Sequence, residues 1–124
     1  MPKILIVDHD PDMTTALAVR LSSAGFEVKV CHCSHSATRT AVREKPDLII
    51  LDVDMPVFTG LEFHECLQYA ERCRDIPVIF LSASDSPSSR LVALRQGARA
   101  FFTKPYETKR LIDTIDEVLS AQSF

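Results

Sequence analysis

Short apolar, β-branched runs recur along this chain, and each is followed by a longer stretch of helical period. The runs are Ile4-Leu5-Ile6-Val7, Phe26-Glu27-Val28-Lys29-Val30, Leu48-Ile49-Ile50-Leu51, Val78-Ile79-Phe80-Leu81 and Ala100-Phe101-Phe102-Thr103. The second alternates strictly and reads as a half-exposed strand. The third and fourth are apolar on both faces, as central strands of a covered parallel sheet must be. Strands alternating with helices define an α/β domain, and right-handed crossovers place helices on both faces of the sheet. The expectation is a doubly wound, five-stranded parallel domain with strand order 2-1-3-4-5 and a ligand crevice at the carboxyl ends of strands one and three.

The intervening helices have readable ends. Asp10-Pro11 supplies an N-cap followed by proline at the first helical position. Met13, Leu17, Leu21 and Ala24 repeat at helical spacing, and Gly25 stops the helix. Ser34 is expected to cap the second helix, which ends before Pro46. The third is expected from Leu61 to about Arg72. Ser86-Pro87 opens the fourth, which carries Leu91 and Leu94 and closes at Gly97. The fifth is expected from about Glu107 to Ala121, and its Leu111, Ile115, Val118 and Leu119 pack either the sheet or a homodimer.

Composition narrows the class without choosing a function. At 124 residues the chain reads as one domain over residues 1–124, with enough core to fold without staples. It is 46% apolar, and 17 acidic against 14 basic residues leave a net charge of −3. That excludes a basic nucleic-acid footprint and a polybasic membrane patch. The first apolar run is too short for a signal peptide or a membrane span. Cys31, Cys33, Cys66 and Cys73 then read as reduced thiols of a cytoplasmic protein. Alternation sends Cys31 and Cys33 to one face, opposite His32, and no second ligand pair has zinc-finger spacing. Cys66 and Cys73, seven apart, are expected to share a face of the third helix.

Chemistry concentrates immediately after the strands. Asp8, His9 and Asp10 follow the first, Asp52-Val53-Asp54-Met55-Pro56 closes the third, Ser82-Ala83-Ser84 the fourth and Lys104-Pro105 the fifth. An open parallel sheet brings these sets to one edge. Carboxylates held close repel one another, and a hard divalent cation relieves this. A carboxylate is also a nucleophile able to form an acyl phosphate. The transferred phosphoryl group needs compensation from metal, lysine and hydroxyl donors. Asp52 is the best nucleophile, Asp8 the metal-side acid, and Ser82 and Lys104 the phosphoryl ligands. The D-x-D of Asp52-Val53-Asp54 superficially fits aspartate-nucleophile phosphatases, but Pro56 breaks that motif.

Val7-Asp8, Leu51-Asp52-Val53-Asp54-Met55-Pro56 with Gly60, Ser82-Ala83, Gly97-Ala98 and Lys104-Pro105 together resemble the receiver domain of two-component response regulators, of the chemotaxis-regulator type. The resemblance covers essentially the whole chain. It implies a flavodoxin-like (βα)5 fold and phosphorelay signalling. Asp52 would be phosphorylated by a sensor histidine kinase or histidine phosphotransfer protein, in autocatalysed chemistry rather than as an ordinary enzyme. It implies Mg2+ held by Asp8, Asp52 and the backbone carbonyl of Asp54. Ser82 and Phe101 would be switch residues that alter the surface of the fourth helix, fifth strand and fifth helix for a downstream protein or a C-terminal output domain. Asp54 and Ser84 fall at positions that tune hydrolysis in the family. The family usually carries a second acid where His9 stands. Imidazole is a poor Mg2+ ligand, so His9 implies weaker Mg2+ affinity and a preference for Mn2+. Asp10 stands one residue too late to copy that geometry, although a local shift would let it reach in. The alternative is a degenerate receiver acting as a phosphorylation-independent interaction module.

Overall fold

The computed structural model describes residues 1–54, 59–83 and 87–121; of residues 34, 35, 60 and 89 only the backbone is described. Met55, Pro56, Ser84 and Ser86 therefore lie outside the described residues. The elements run β1 (Lys3–Val7), α1 (Pro11–Ser23), β2 (Glu27–Cys31), α2 (Ser34–Glu44), β3 (Leu48–Asp52), α3 (Gly60–Tyr69), β4 (Val78–Ser82), α4 (Pro87–Arg95), β5 (Ala100–Thr103) and α5 (Thr108–Ala121). All strand pairs are parallel, in the order β2-β1-β3-β4-β5.

Side-chain alternation splits the apolar residues between two cores. Ile4, Ile6, Leu48, Ile50, Ile79 and Leu81 face α1 and α5, meeting Leu17, Leu21, Leu111, Ile115 and Val118. Leu5, Val7, Ile49, Leu51, Val78, Phe80 and Phe101 face the other way, onto Ala37, Ala41, Phe63, Leu67 and Ala93. β3 and β4 are buried along their whole length, and edge strand β2 is mostly not. The apolar stripe of α5 thus packs its own sheet, with Leu111, Ile115 and Val118 buried and Leu119 partly so. On α4 the reverse holds. Ala93 is fully buried, whereas Leu91, Val92 and Leu94 are about half exposed.

Several local expectations shift. β2 starts one residue later, because Phe26 turns into the α1–α5 core instead of opening the strand. The N-cap of α2 is Cys33, which offers no side-chain bond, and Ser34 is the first helical residue. Since β2 ends at Cys31, alternation does not carry on to Cys33: Cys31 is buried and Cys33 exposed. α3 ends at Tyr69, and Cys73 sits in the following turns with its amide on the Ala70 carbonyl at 2.8 Å. Cys66 and Cys73 therefore share no helical face; Cys66 is exposed and Cys73 buried, its thiol pKa pushed up by burial.

The start of α3 is set by a reciprocal cap. Thr59 Oγ1 accepts from the Glu62 amide at 3.2 Å, and Glu62 Oε1 accepts from the Thr59 amide at 3.1 Å. This satisfies two otherwise orphaned donors. Replacing Thr59 by Ala is expected to cost about 1 kcal/mol. In urea the midpoint should fall with an unchanged slope, because the exposed surface on unfolding is the same.

Candidate phosphoacceptor site

Strand order dictates what meets at the carboxyl edge. β1 and β3 are neighbours with Val7 level with Leu51, so Asp8 emerges beside Asp52. β4 lies on the other side of β3, and Ser82 falls one residue beyond the partner of Asp52. β5 is a further strand away, at about 4.8 Å per strand, so only a long side chain from it can reach β1 and β3. Lys104 has that length. Its Nζ lies 3.1 Å from Asp8 Oδ2 and 3.6 Å from Asp52 Oδ1. Its amide, donating to the Ser82 carbonyl at 2.7 Å, continues the β4–β5 ladder past the strand ends.

Asp8 and Asp52 are each 1% exposed. Asp8 is fixed from both sides: its amide donates to the Cys31 carbonyl at 3.1 Å, and its Oδ1 accepts from the Asp10 amide at 3.0 Å. His32 Nδ1 lies 3.0 Å from the Asp8 carbonyl. Asp52 Oδ1 accepts from the Asp54 amide at 3.0 Å, and Oδ2 lies 3.1 Å from His9 Nδ1. Against an ionised Asp52, the shared hydrogen sits on that nitrogen. Burial pushes the Asp52 pKa up, as does the neighbouring Asp8 charge; the Asp54 amide and Lys104 work against them. Tyr106, half-buried in the same region, has its phenol pushed up to about 12 by burial and by the Asp8 charge, so it stays protonated.

The donor set suits a divalent cation. The ligand atoms of Asp8, His9 and Asp52 lie within 4.8 Å of one another, the one such metal-competent group among the described residues. Cys31, His32 and Cys33 form no such group. The two carboxylates carry two negative charges against the single ammonium of Lys104, a deficit that a cation would fill. Asp10 does not reach in: its Oδ1 caps α1, accepting from the amides of Asp12 at 3.1 Å and Met13 at 3.3 Å.

Of the residues singled out from sequence, Asp8, His9, Asp52 and Lys104 converge directly, and Ser82 joins them through Asp54. Phe101 stands apart on β5, buried in the core, with the Arg90 guanidinium 5.0 Å from its ring centroid. The residue that sequence reasoning underused is Asp54. Only its backbone carbonyl was expected to matter for the metal, yet its carboxylate accepts from the Ala83 amide at 2.7 Å and from Ser82 Oγ at 3.2 Å. The signal available was an acid two residues after Asp52. What sequence does not encode legibly is the direction that acid takes.

This is the arrangement of a doubly wound domain with an acidic crevice at its switch point. The chain belongs to the response regulator receiver domain family, whose model matches residues 4–116. It is accordingly a signalling domain of two-component systems and not a classical enzyme. It is 34% identical over 118 residues to the transcriptional regulatory protein PrrA of Mycobacterium tuberculosis, covering 95% of this chain and 50% of that protein. It is 32% identical to protein PilH of Pseudomonas aeruginosa, covering 97% and 99% respectively. The crystallised Vibrio cholerae chemotaxis protein CheY4 superposes with a TM-score of 0.89 at 30% identity, covering 95% of this chain and 98% of that one. The chain thus spans about half the length of PrrA and nearly all of PilH. Among the described residues, no helix is long and apolar enough to cross a membrane.

The raised Asp52 pKa has a consequence for stability. The folded state holds this proton more tightly than the unfolded chain does. The contribution of Asp52 to stability is therefore greatest below the ordinary carboxylate pKa and is lost as pH rises through the raised folded value. In metal-free buffer, Asp52→Asn should raise Tm by a few degrees near neutral pH. Thermal scans should show that gain shrinking on acidification, as the wild-type carboxyl protonates and relieves itself.

Proposed function

We propose that this receiver takes a phosphoryl group onto Asp52 from the phosphohistidine of a sensor kinase or phosphotransfer protein. The observation that carries the reading is the buried Asp52 carboxylate, held between the Lys104 ammonium and the Asp54 amide at the mouth of the crevice. In the transfer, a carboxylate oxygen of Asp52 bonds to phosphorus as the phosphorus–nitrogen bond of the donor breaks. The imidazole leaves with the electron pair. Lys104 offsets charge on the phosphoryl oxygens, and Ser82 Oγ donates to one of them. Burial has already stripped Asp52 of most of its water, so its nucleophilic oxygen needs little desolvation.

Asp8, Asp52 and the Asp54 carbonyl would hold the divalent cation, with His9 beside them. When bound, that ion neutralises charge on the phosphoryl oxygens. The presence of an imidazole favours Mn2+ over Mg2+. The output surface in this reading is α4, β5 and α5, where Phe101 lies under Arg90 and the half-exposed Leu91, Val92 and Leu94 offer apolar area to a partner. That partner is a downstream protein or an output domain of a longer chain, and the setting is cytoplasmic.

Acetyl phosphate tests the reading without a kinase. Wild-type protein with a divalent metal should gain the mass of one phosphoryl group, and Asp52→Asn should gain none. No adduct with any divalent metal would return the protein to an interaction module.

Metal choice gives a separate measurement. Mn2+ is expected to support faster modification than Mg2+ at equal concentration. His9→Asp should lower the half-saturating Mg2+ concentration by roughly an order of magnitude, by adding a hard oxygen ligand. Wild-type saturation at low-micromolar Mg2+ would contradict the role given to His9.

A further inference from the structure

Ser82 Oγ and the Ala83 amide converge on a single oxygen, Oδ2 of Asp54, at 3.2 and 2.7 Å. Two donors aimed at one anionic oxygen form a small oxyanion site. In this structure a carboxylate of the same chain occupies it. The same residue's amide donates to Asp52 Oδ1 at 3.0 Å, so residue 54 bridges the nucleophile and the hydroxyl at the end of β4. Asp54 is itself exposed, and its carboxylate can leave for water without a burial penalty.

We propose that the Asp54 carboxylate is a built-in competitor of the phosphoryl group, latching Ser82 and Ala83 in the resting state until phosphorylation of Asp52 displaces it. The proposal rests on the reading of Asp52 as phosphoacceptor and adds a regulatory device to it. The two anions exclude each other on charge as well as on space. A phosphorylated Asp52 carries close to two negative charges, and an ionised carboxylate on the same donors repels them. The latch acts as a tax on phosphoryl acceptance: if the donors are free about one-tenth of the time, the apparent reactivity falls about tenfold. Asp54 is in this sense a positioning residue, acting through Ser82 and Ala83.

The test pairs Asp54→Ala, which empties the donors, with Asp54→Asn, which keeps an acceptor oxygen but removes the charge. The substitutions leave the residue 54 backbone carbonyl and amide in place. In metal-free wild-type protein the Ala83 amide proton should resonate downfield, as a short charge-assisted hydrogen bond requires. It should move upfield in Asp54→Ala. With acetyl phosphate and a saturating divalent metal, the carboxylate oxygen of Asp52 bonds to phosphorus as acetate leaves with its electron pair. Asp54→Ala should be modified about tenfold faster than wild type, with Asp54→Asn between them. Equal or slower modification of Asp54→Ala would overturn the latch and leave the phosphoacceptor reading standing. An Ala83 resonance indifferent to the substitution would overturn it as well. Absence of adduct in every variant would remove the phosphoacceptor reading, and the latch with it.

Discussion

Two buried carboxylates held side by side are the constraint to which the rest of the crevice responds. The parallel register of β1 and β3 leaves Asp8 and Asp52 no alternative to adjacency. The loss of water and the neighbouring Asp8 charge both oppose ionisation of Asp52. The molecule answers with backbone amides from Asp10 and Asp54, with the Lys104 ammonium brought across from β5, and with an imidazole N–H from His9. Of these, the Lys104 ammonium is the permanent positive charge, set against two carboxylates. The unmet part of the charge is what makes the site receptive to a cation.

The supporting frame is uneven in a way that suits signalling. β1, β3 and β4 are sealed on both faces, so the acids stand on elements that cannot shift without opening a core. The β5 side is held more loosely. Only Phe101 of that strand is buried, and α4 contributes Ala93 to the core while leaving three larger apolar side chains half exposed. Local opening is cheapest where apolar contacts are fewest. Lys104 and Ser82 connect the rigid acids to this weaker side, and Ser82 does so while its hydroxyl is engaged by Asp54.

The fold and the inner site were legible because each rests on a periodic constraint. Period-two apolar runs specify parallel strands, parallel order brings strand ends together, and Asp8, Asp52, Ser82 and Lys104 follow from those two steps. The misplacements fall where no period operates. Phe26 fits either the start of β2 or the core beneath it, and tertiary packing chose the core. α3 stops at Tyr69 although residues beyond it are compatible with helix, so the seven-residue spacing of Cys66 and Cys73 lost its helical meaning. The Thr59-x-x-Glu62 cap was passed over in the sequence, and it places the N-cap two residues ahead of Leu61, the expected start of the helix. The direction of the Asp54 carboxylate was not readable, because a loop side chain follows the donors available to it rather than any pattern in the chain.

His9 and Asp54 are best understood together. Each engages, with a group from the chain itself, atoms that the proposed phosphoryl chemistry would use. The imidazole N–H sits on Asp52 Oδ2, beside the place proposed for the cation, and the carboxylate sits on Ser82 and Ala83, the donors proposed for a phosphoryl oxygen. A crevice satisfied this way has no orphaned polar atoms: among the described residues, no buried side-chain nitrogen or oxygen lacks a hydrogen-bond partner. Satisfaction stabilises the resting arrangement, because an unmade buried hydrogen bond costs more than a made one gains. On the proposed reading of Asp52 and Asp54, activation exchanges partners instead of filling vacant ones. The free energy of accepting a phosphoryl group is then the difference between two nearly complete sets of contacts. A difference of that kind can be shifted by a single side chain, so on this reading one acid at position 54 and one imidazole at position 9 would carry weight out of proportion to their size.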